Sequence, residues 1–223
     1  MSRRLRALLL CAALGTLACG DIGAPVRDDL YEWRLFVPFG GTTRTIHFHW
    51  GQDDLPVRVW VADDDLADLP SLMQRAIDAW QDVFLYREFR AELVSDSNVA
   101  HVIVRGVPAP SKVVGQMVRL PSALAPECGG ATDLDVSDDL AVLTLPIRIY
   151  LDRRAAPDAP GLTTCLALTS IHELGHALGI FSHSPNPTDI MYVDPLVELP
   201  STLDRETAEA LYHIPPTVRA EGR

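Results

Sequence analysis

Twelve consecutive residues constrain this chain more than any others: His172-Glu173-Leu174-Gly175-His176-Ala177-Leu178-Gly179-Ile180-Phe181-Ser182-His183. On an α-helix, residues four apart differ in direction by only about 40°, so His172 and His176 leave the same face one turn apart. Two neutral imidazoles so placed can grip one metal ion. Glu173 stands beside that face, where its carboxylate can hold and deprotonate a water without being a ligand. Gly179 enters left-handed backbone freely and suits a sharp helix end, after which the chain can double back and deliver a third imidazole from His183. Three protein ligands leave the fourth position of a tetrahedral zinc open, the mark of a catalytic rather than a structural site. A bare HExxH also arises by chance on ordinary amphipathic helices. The added glycine and histidine, with Met191 downstream, separate this run from that reading.

Met191 lies in Asp189-Ile190-Met191-Tyr192, eight residues after His183. With it, the segment resembles the metzincins, and within them the matrixin-like peptidases, including bacterial members. Their motif is HExxHxxGxxH followed by a methionine-containing turn, and the pairs His183-Ser184 and Met191-Tyr192 also look like matrixin sequence. The resemblance implies a zinc endopeptidase with His172, His176 and His183 as ligands and Glu173 as general base, then acid. It implies that Met191 packs beneath the metal as an apolar floor and does not bind it. One departure stands out. Three residues separate Gly179 from His183 where the pattern has two, so Ser182, a poor zinc ligand, occupies the strict third-ligand position. His183 remains the assigned ligand because the His-Ser step and the spacing to Met191 are kept, with a one-residue bulge in the turn. A gluzincin arrangement would take Glu206 or Glu209 instead, and would leave Gly179, His183 and Met191 unexplained. In metzincins whose tyrosine reaches the zinc, that tyrosine lies two places after the methionine, so Tyr192 is not expected to ligate. No PRCGxPD-like cysteine switch precedes the domain.

The rest of the chain supports an α+β fold with a small twisted mixed sheet, an active-site helix, a backing helix and a short C-terminal helix. Thr45 to Trp50 alternates as a strand does, and Val57, Val59 and Val61 mark another. Leu72, Met73, Ala76, Ile77, Trp80 and Phe84 recur at helical spacing, predicting a helix over 70–83 with Pro70 and Ser71 at its start and Gln74 placed for a capping box. Residues 100–104 and, more weakly, 113–120 read as strands; 121–140, rich in Pro, Gly, Ser and Asp, reads as mostly loop. Ile147, Ile149 and Leu151 suggest a last strand, with Pro146 at its beginning. Helix follows over 162–178, and again near 204–212 before Pro215-Pro216. The metzincin resemblance spans about residues 55–215 and is specific only in 172–192. It implies an edge strand that binds substrate as an added β-strand, for which 113–120 is the candidate.

The N-terminus is a separate matter. Arg3, Arg4 and Arg6 precede an apolar run from Ala7 to Ala18, the pattern of a secretory signal and too short to span a bilayer. Leu17-Ala18-Cys19-Gly20 also resembles a bacterial lipobox, although Thr16 stands where an aliphatic residue is usual; Cys19 lipidation and free secretion are both open. The organisation expected is thus a signal over 1–19, a lead-in over 20–54, a metzincin-like catalytic domain over 55–216 and a tail over 217–223. Removing the signal takes away three arginines and no acid, moving the formal net charge from −11 to −14. With no basic patch visible, nucleic acid is not an expected partner; a protein or peptide substrate and a monomeric state are. Any membrane contact would be through a lipid on Cys19. Cys11 and Cys19 fall in the signal, so Cys128 and Cys165 read most simply as one disulfide of an exported chain.

The other candidates are weaker. His47 and His49 could share a strand face but read better as half-buried polar residues, and His101 and His213 lack a neighbour at ligand spacing. Asp133, Asp135, Asp138 and Asp139 lack the glycine and glutamate of an EF-hand, so a solvated acidic loop is expected and calcium is unsupported. Two rival functions remain in view: a non-catalytic, surface-anchored zinc-binding protein of the same fold, and hydrolysis of a non-protein amide. The intact Glu173 argues against the first.

Overall fold

The computed structural model describes residues 30–63, 68–112, 117–121 and 125–221; the signal candidate, with Cys11 and Cys19, and positions 113–116 of the edge-strand candidate lie outside them. Part of the lead-in forms a two-stranded hairpin, β1 (Leu35–Phe39) antiparallel to β2 (Thr42–Ile46). The alternation at 45–50 therefore ends as a strand at Ile46. Phe48 and Trp50 run on as irregular chain into the core, while the rings of His47 and His49 face the carbonyls of Pro215 and Ile214.

The main sheet contains β3 (Val57–Val61), β4 (Ala91–Val94), β5 (Val102–Arg105), β6 (Met117–Pro121), β7 (Cys128–Val136), β8 (Val142–Arg153) and β9 (Arg219–Ala220). Their order is β4-β3-β5-β8-β7-β6, with β9 beside β8. β3 is parallel to β4 and β5, and β5 to β8, whereas β7 is antiparallel to both β8 and β6. Parallel neighbours need a crossover, and β3 reaches β4 through α1 (Leu69–Gln81). This helix buries Leu69, Leu72, Met73, Ala76, Ile77 and Trp80 at the expected spacing. The capping box does not form: with Asp68 as N-cap, Ser71 lies inside the helix and Gln74 donates to Asp78 instead.

Residues 121–140 depart from the loop expectation, because they contain the nine-residue β7. Its glycines and aspartates are poor strand formers, but pairing to β6 on one side and β8 on the other overrides local propensity. Asp133 is accordingly no part of a solvated acidic loop. It is fully buried, and the Arg119 guanidinium on β6 meets both its oxygens at 2.6 and 2.7 Å. β8 runs twelve residues, with Pro146 inside it. Pro146 falls where the β7–β8 register shifts between Asp133 and Asp135, so its missing N–H coincides with a ladder already interrupted. Nor is β8 the last strand: β9, within 217–223, pairs with Val142 and Leu143. Since β7 flanks β8 on one side, β9 and β5 share the other.

α2 (Leu162–Leu178) packs on α1 and on β7 and β8, and α3 (Thr202–Tyr212) closes the chain's helical content among the described residues. Every residue of α2 from Thr169 to Leu178 is buried, so this half of the helix is enclosed on all sides. Two indoles fasten it: Trp80 Nε1 donates to Ile171 O at 2.7 Å and Trp50 Nε1 to Ala177 O at 3.0 Å. A disulfide joins Cys128 on β7 to Cys165 on α2, with Cα atoms 6.0 Å apart. The architecture is the mixed α+β class expected, with a mixed sheet and three helices among the described residues. None of those helices is long and apolar enough to cross a membrane.

Candidate metal centre

The helical period places His172 and His176 on one side of α2, with ring centroids 4.7 Å apart. The His183 ring lies 5.1 Å from each of them. One ligand atom from each of the three rings falls within 4.8 Å of the others, and His176 Nε2 is 3.3 Å from His183 Nε2. Nitrogens held tetrahedrally on a zinc ion at its usual bond length sit about 3.4 Å apart. The three rings thus form a cluster able to hold a metal ion.

Proton accounting sharpens that fit. His172 Nδ1 lies 2.8 Å from Ile190 O and His176 Nδ1 2.6 Å from Ile180 O. A carbonyl only accepts, so in the neutral rings both Nδ1 atoms carry the hydrogen and both Nε2 atoms present lone pairs. His172 Nε2 is buried and has no hydrogen-bond partner, a cost of about 1–3 kcal/mol for a lone pair left empty. A cation among the three rings would satisfy it. Burial, reinforced by the charge of His183, holds the His172 pKa down to about 3. Burial, then the charges of His172 and His183, pushes His176 well below its ordinary value, and burial alone lowers His183. At neutral pH the rings are therefore electron-pair donors, as metal ligands must be.

The third ring arrives by a sharp helix end. Gly179 has φ +119°, with its N–H on His176 O and the Ile180 N–H on Gly175 O, both at 3.1 Å. This is a Schellman closure, and it turns Ile180 O back onto His176 Nδ1. The extra residue before His183 is accommodated by pointing Ser182 elsewhere: its hydroxyl donates to Arg34 O at 2.6 Å. The strict third-ligand position is thus engaged with the N-terminal segment, and His183 takes the place beside His176. Glu206 and Glu209, the gluzincin alternatives, are not in the cluster.

Met191 is fully buried, and its sulphur lies where a side chain at position 175 would begin; a Cβ on Gly175 would also come within 2.7 Å of Trp80 Cζ2. The turn carrying Met191 is anchored by a residue the sequence reading passed over. Asp204 Oδ2 accepts from Ile190 N and Ser201 N, both at 2.8 Å, while Oδ1 accepts from Tyr31 OH at 2.9 Å and Met191 N at 3.3 Å. A visible signal existed, since Ser201 and Asp204 form the capping box of α3. Asp189 adds a second tie, accepting from Ser184 Oγ and from Ser201 Oγ.

Glu173 is fully buried beside His172 on α2 and faces β7, where Thr132 Oγ1 donates to its Oε2 at 2.6 Å. Gly130 on β7 leaves the room this carboxylate occupies; any Cβ there would collide with it and come within 2.5 Å of Thr169 Cγ2. Neither Thr132 nor Gly130 carried a sequence signal, because both lie in the run read as loop. The remaining histidines are engaged elsewhere, His101 with Arg58 and His213 near Glu88 at 3.7 Å.

No protein-family model matches this chain, and no curated protein compared with it matches either. The likeness to metzincins therefore stands on the residues themselves. The molecule shows a three-histidine cluster, compatible with a metal site, in a mixed α/β fold.

Proposed function

We propose that this chain is a zinc-dependent endopeptidase of the metzincin, matrixin-like type. The observation that carries the reading is the convergence of the His172, His176 and His183 rings at the buried end of a helix that also bears Glu173 next to the first of them. Zinc held by these three rings would supply an electrophile that acidifies water and polarises the scissile carbonyl. His172 and His176 donate their Nδ1 hydrogens to the Ile190 and Ile180 carbonyls, which orients both rings and would leave both Nε2 lone pairs to hold the ion. The Thr132 hydroxyl orients the Glu173 carboxylate through Oε2. Glu173 then takes the proton from the attacking water and delivers it to the leaving amine. β6, at the sheet edge, supports docking of an extended peptide as a further strand. We also propose export, on the basic and apolar N-terminus and on a disulfide that an oxidising compartment would preserve. Lipidation at Cys19 would anchor the enzyme to the envelope.

The test is metal content together with cleavage of a quenched peptide library, with and without chelator. One zinc per chain and chelator-sensitive cleavage are expected, and Glu173→Gln should retain zinc while losing about 10²–10⁴-fold in turnover. Unchanged turnover would remove Glu173 from the mechanism. Stoichiometric zinc without any cleavage would favour the non-catalytic binding protein.

A further inference from the structure

We propose that the N-terminal segment Trp33–Arg34 is a clamp that positions His183, with Ser182 as its fastening; this rests on the metal-site reading above. The two helix-borne rings are each oriented by a carbonyl, whereas no main-chain carbonyl orients the His183 ring among the described residues. Its placement must come from the backbone of its own loop.

That backbone is held from two directions. On one side, Ser184 N donates to Met191 O at 2.9 Å. On the other, Phe181 N donates to Trp33 O at 2.7 Å and Ser182 Oγ to Arg34 O at 2.6 Å, two adjacent contacts on two adjacent residues. The segment offering those carbonyls is itself fixed. Trp33 belongs to the core, and Arg34 pairs with Glu32 within the same segment through Nε and Nη2, each at 2.6 Å. Tyr31 OH reaches Asp204, the carboxylate that also receives the Ile190 and Met191 N–H groups. Residues 31–34 therefore link both loops that flank the three rings. The one-residue lengthening of the turn adds the Ser182 contact to this link: the residue standing where the motif expects a ligand is turned to Arg34 O and becomes the fastening. Ser182 is a positioning residue, acting on the metal only through His183.

The experiment uses the full chain and reads zinc affinity by chelator competition, the visible absorption of the cobalt(II)-loaded protein, and the unfolding midpoint of the metal-free protein. Ser182→Ala should weaken zinc about 10-fold or more, within the range usual for partners that orient a ligand. It should also alter the cobalt spectrum and leave the metal-free midpoint nearly unmoved. Ser182→Thr, which returns the hydroxyl, should restore both affinity and spectrum. Wild-type affinity and spectrum in Ser182→Ala would overturn the clamp. So would a loss that merely follows a fallen midpoint and is not rescued by Ser182→Thr. A wild-type chain that takes up neither zinc nor cobalt would overturn the metal reading itself, and the clamp with it.

Discussion

The helix-borne pair and the loop-borne third ring reach the same point by different means. His172 and His176 sit on one continuous helix whose C-terminal half is buried on every side, and their spacing is set by the helical period. His183 is half-buried on irregular chain, and its position depends on a left-handed glycine, an N-terminal segment and the turn carrying Met191. A ligand pair built on regular structure is cheap to specify and hard to perturb. A ligand built on a loop is open to adjustment from several distant residues, which makes it the place where affinity can be tuned.

The sharpest way to break this comparison is to remove one ring of each kind. His176→Ala should reduce metal content to background, because His172 and His183 do not lie on a common scaffold. His183→Ala should leave weakened but measurable binding by the helical pair, read by chelator competition. Equal losses in the two variants would mean that the loop ligand is as firmly built as the helical ones. A smaller effect is expected at the helix end. Gly179→Ala would place a Cβ against the Phe48 carbonyl and force φ +119° on a residue that avoids it. The cost should be about 3 kcal/mol in denaturant unfolding, the usual toll for such backbone strain with a clash. A change within error would show that the turn has slack.

The smallest effect is a pH dependence that sharpens the same contrast. In the metal-free protein His172 is held to about 3, whereas the unfolded chain titrates near 6.5. The unfolded state therefore binds protons that the folded state refuses, so this stabilisation is present above about pH 6.5 and is lost as pH falls toward 3. His176 acts in the same direction, and His183, depressed by burial alone, should contribute less. Unfolding midpoints of the metal-free chain should fall over this window, with a shallower slope in His172→Asn than in His183→Asn. Equal slopes would remove the distinction between buried and half-buried rings.

Legibility in the sequence follows the same division. Elements with strong periodicity were readable: the strand at 57–61, the helix over 69–81, and the helix over 162–178, whose observed bounds match those expected. β7 was not, because Gly129, Gly130, Asp133 and Asp135 give it the composition of a loop, and its strand character comes from two neighbours far away in the chain. β1, the short β4 and the two-residue β9 were missed, and only the end of β2 lay within the strand expected at 45–50, for a related reason: short pairings carry little local signal.

By itself, the sequence determined which side chains could meet a metal, because periodicity fixes His172 and His176 on one face and Gly179 marks where the helix must stop. It also favoured His183 over Ser182 as the third candidate and left Glu206 or Glu209 as the alternative. Only the tertiary structure brought the His183 ring to the helical pair and left both glutamates outside the cluster. It engages Ser182 with Arg34, supplies Thr132 to Glu173, and ties the Met191 turn through Asp204. Contacts that close over 13 to 148 residues have no signature in local spacing, since they depend on how separate elements pack rather than on the chain between them.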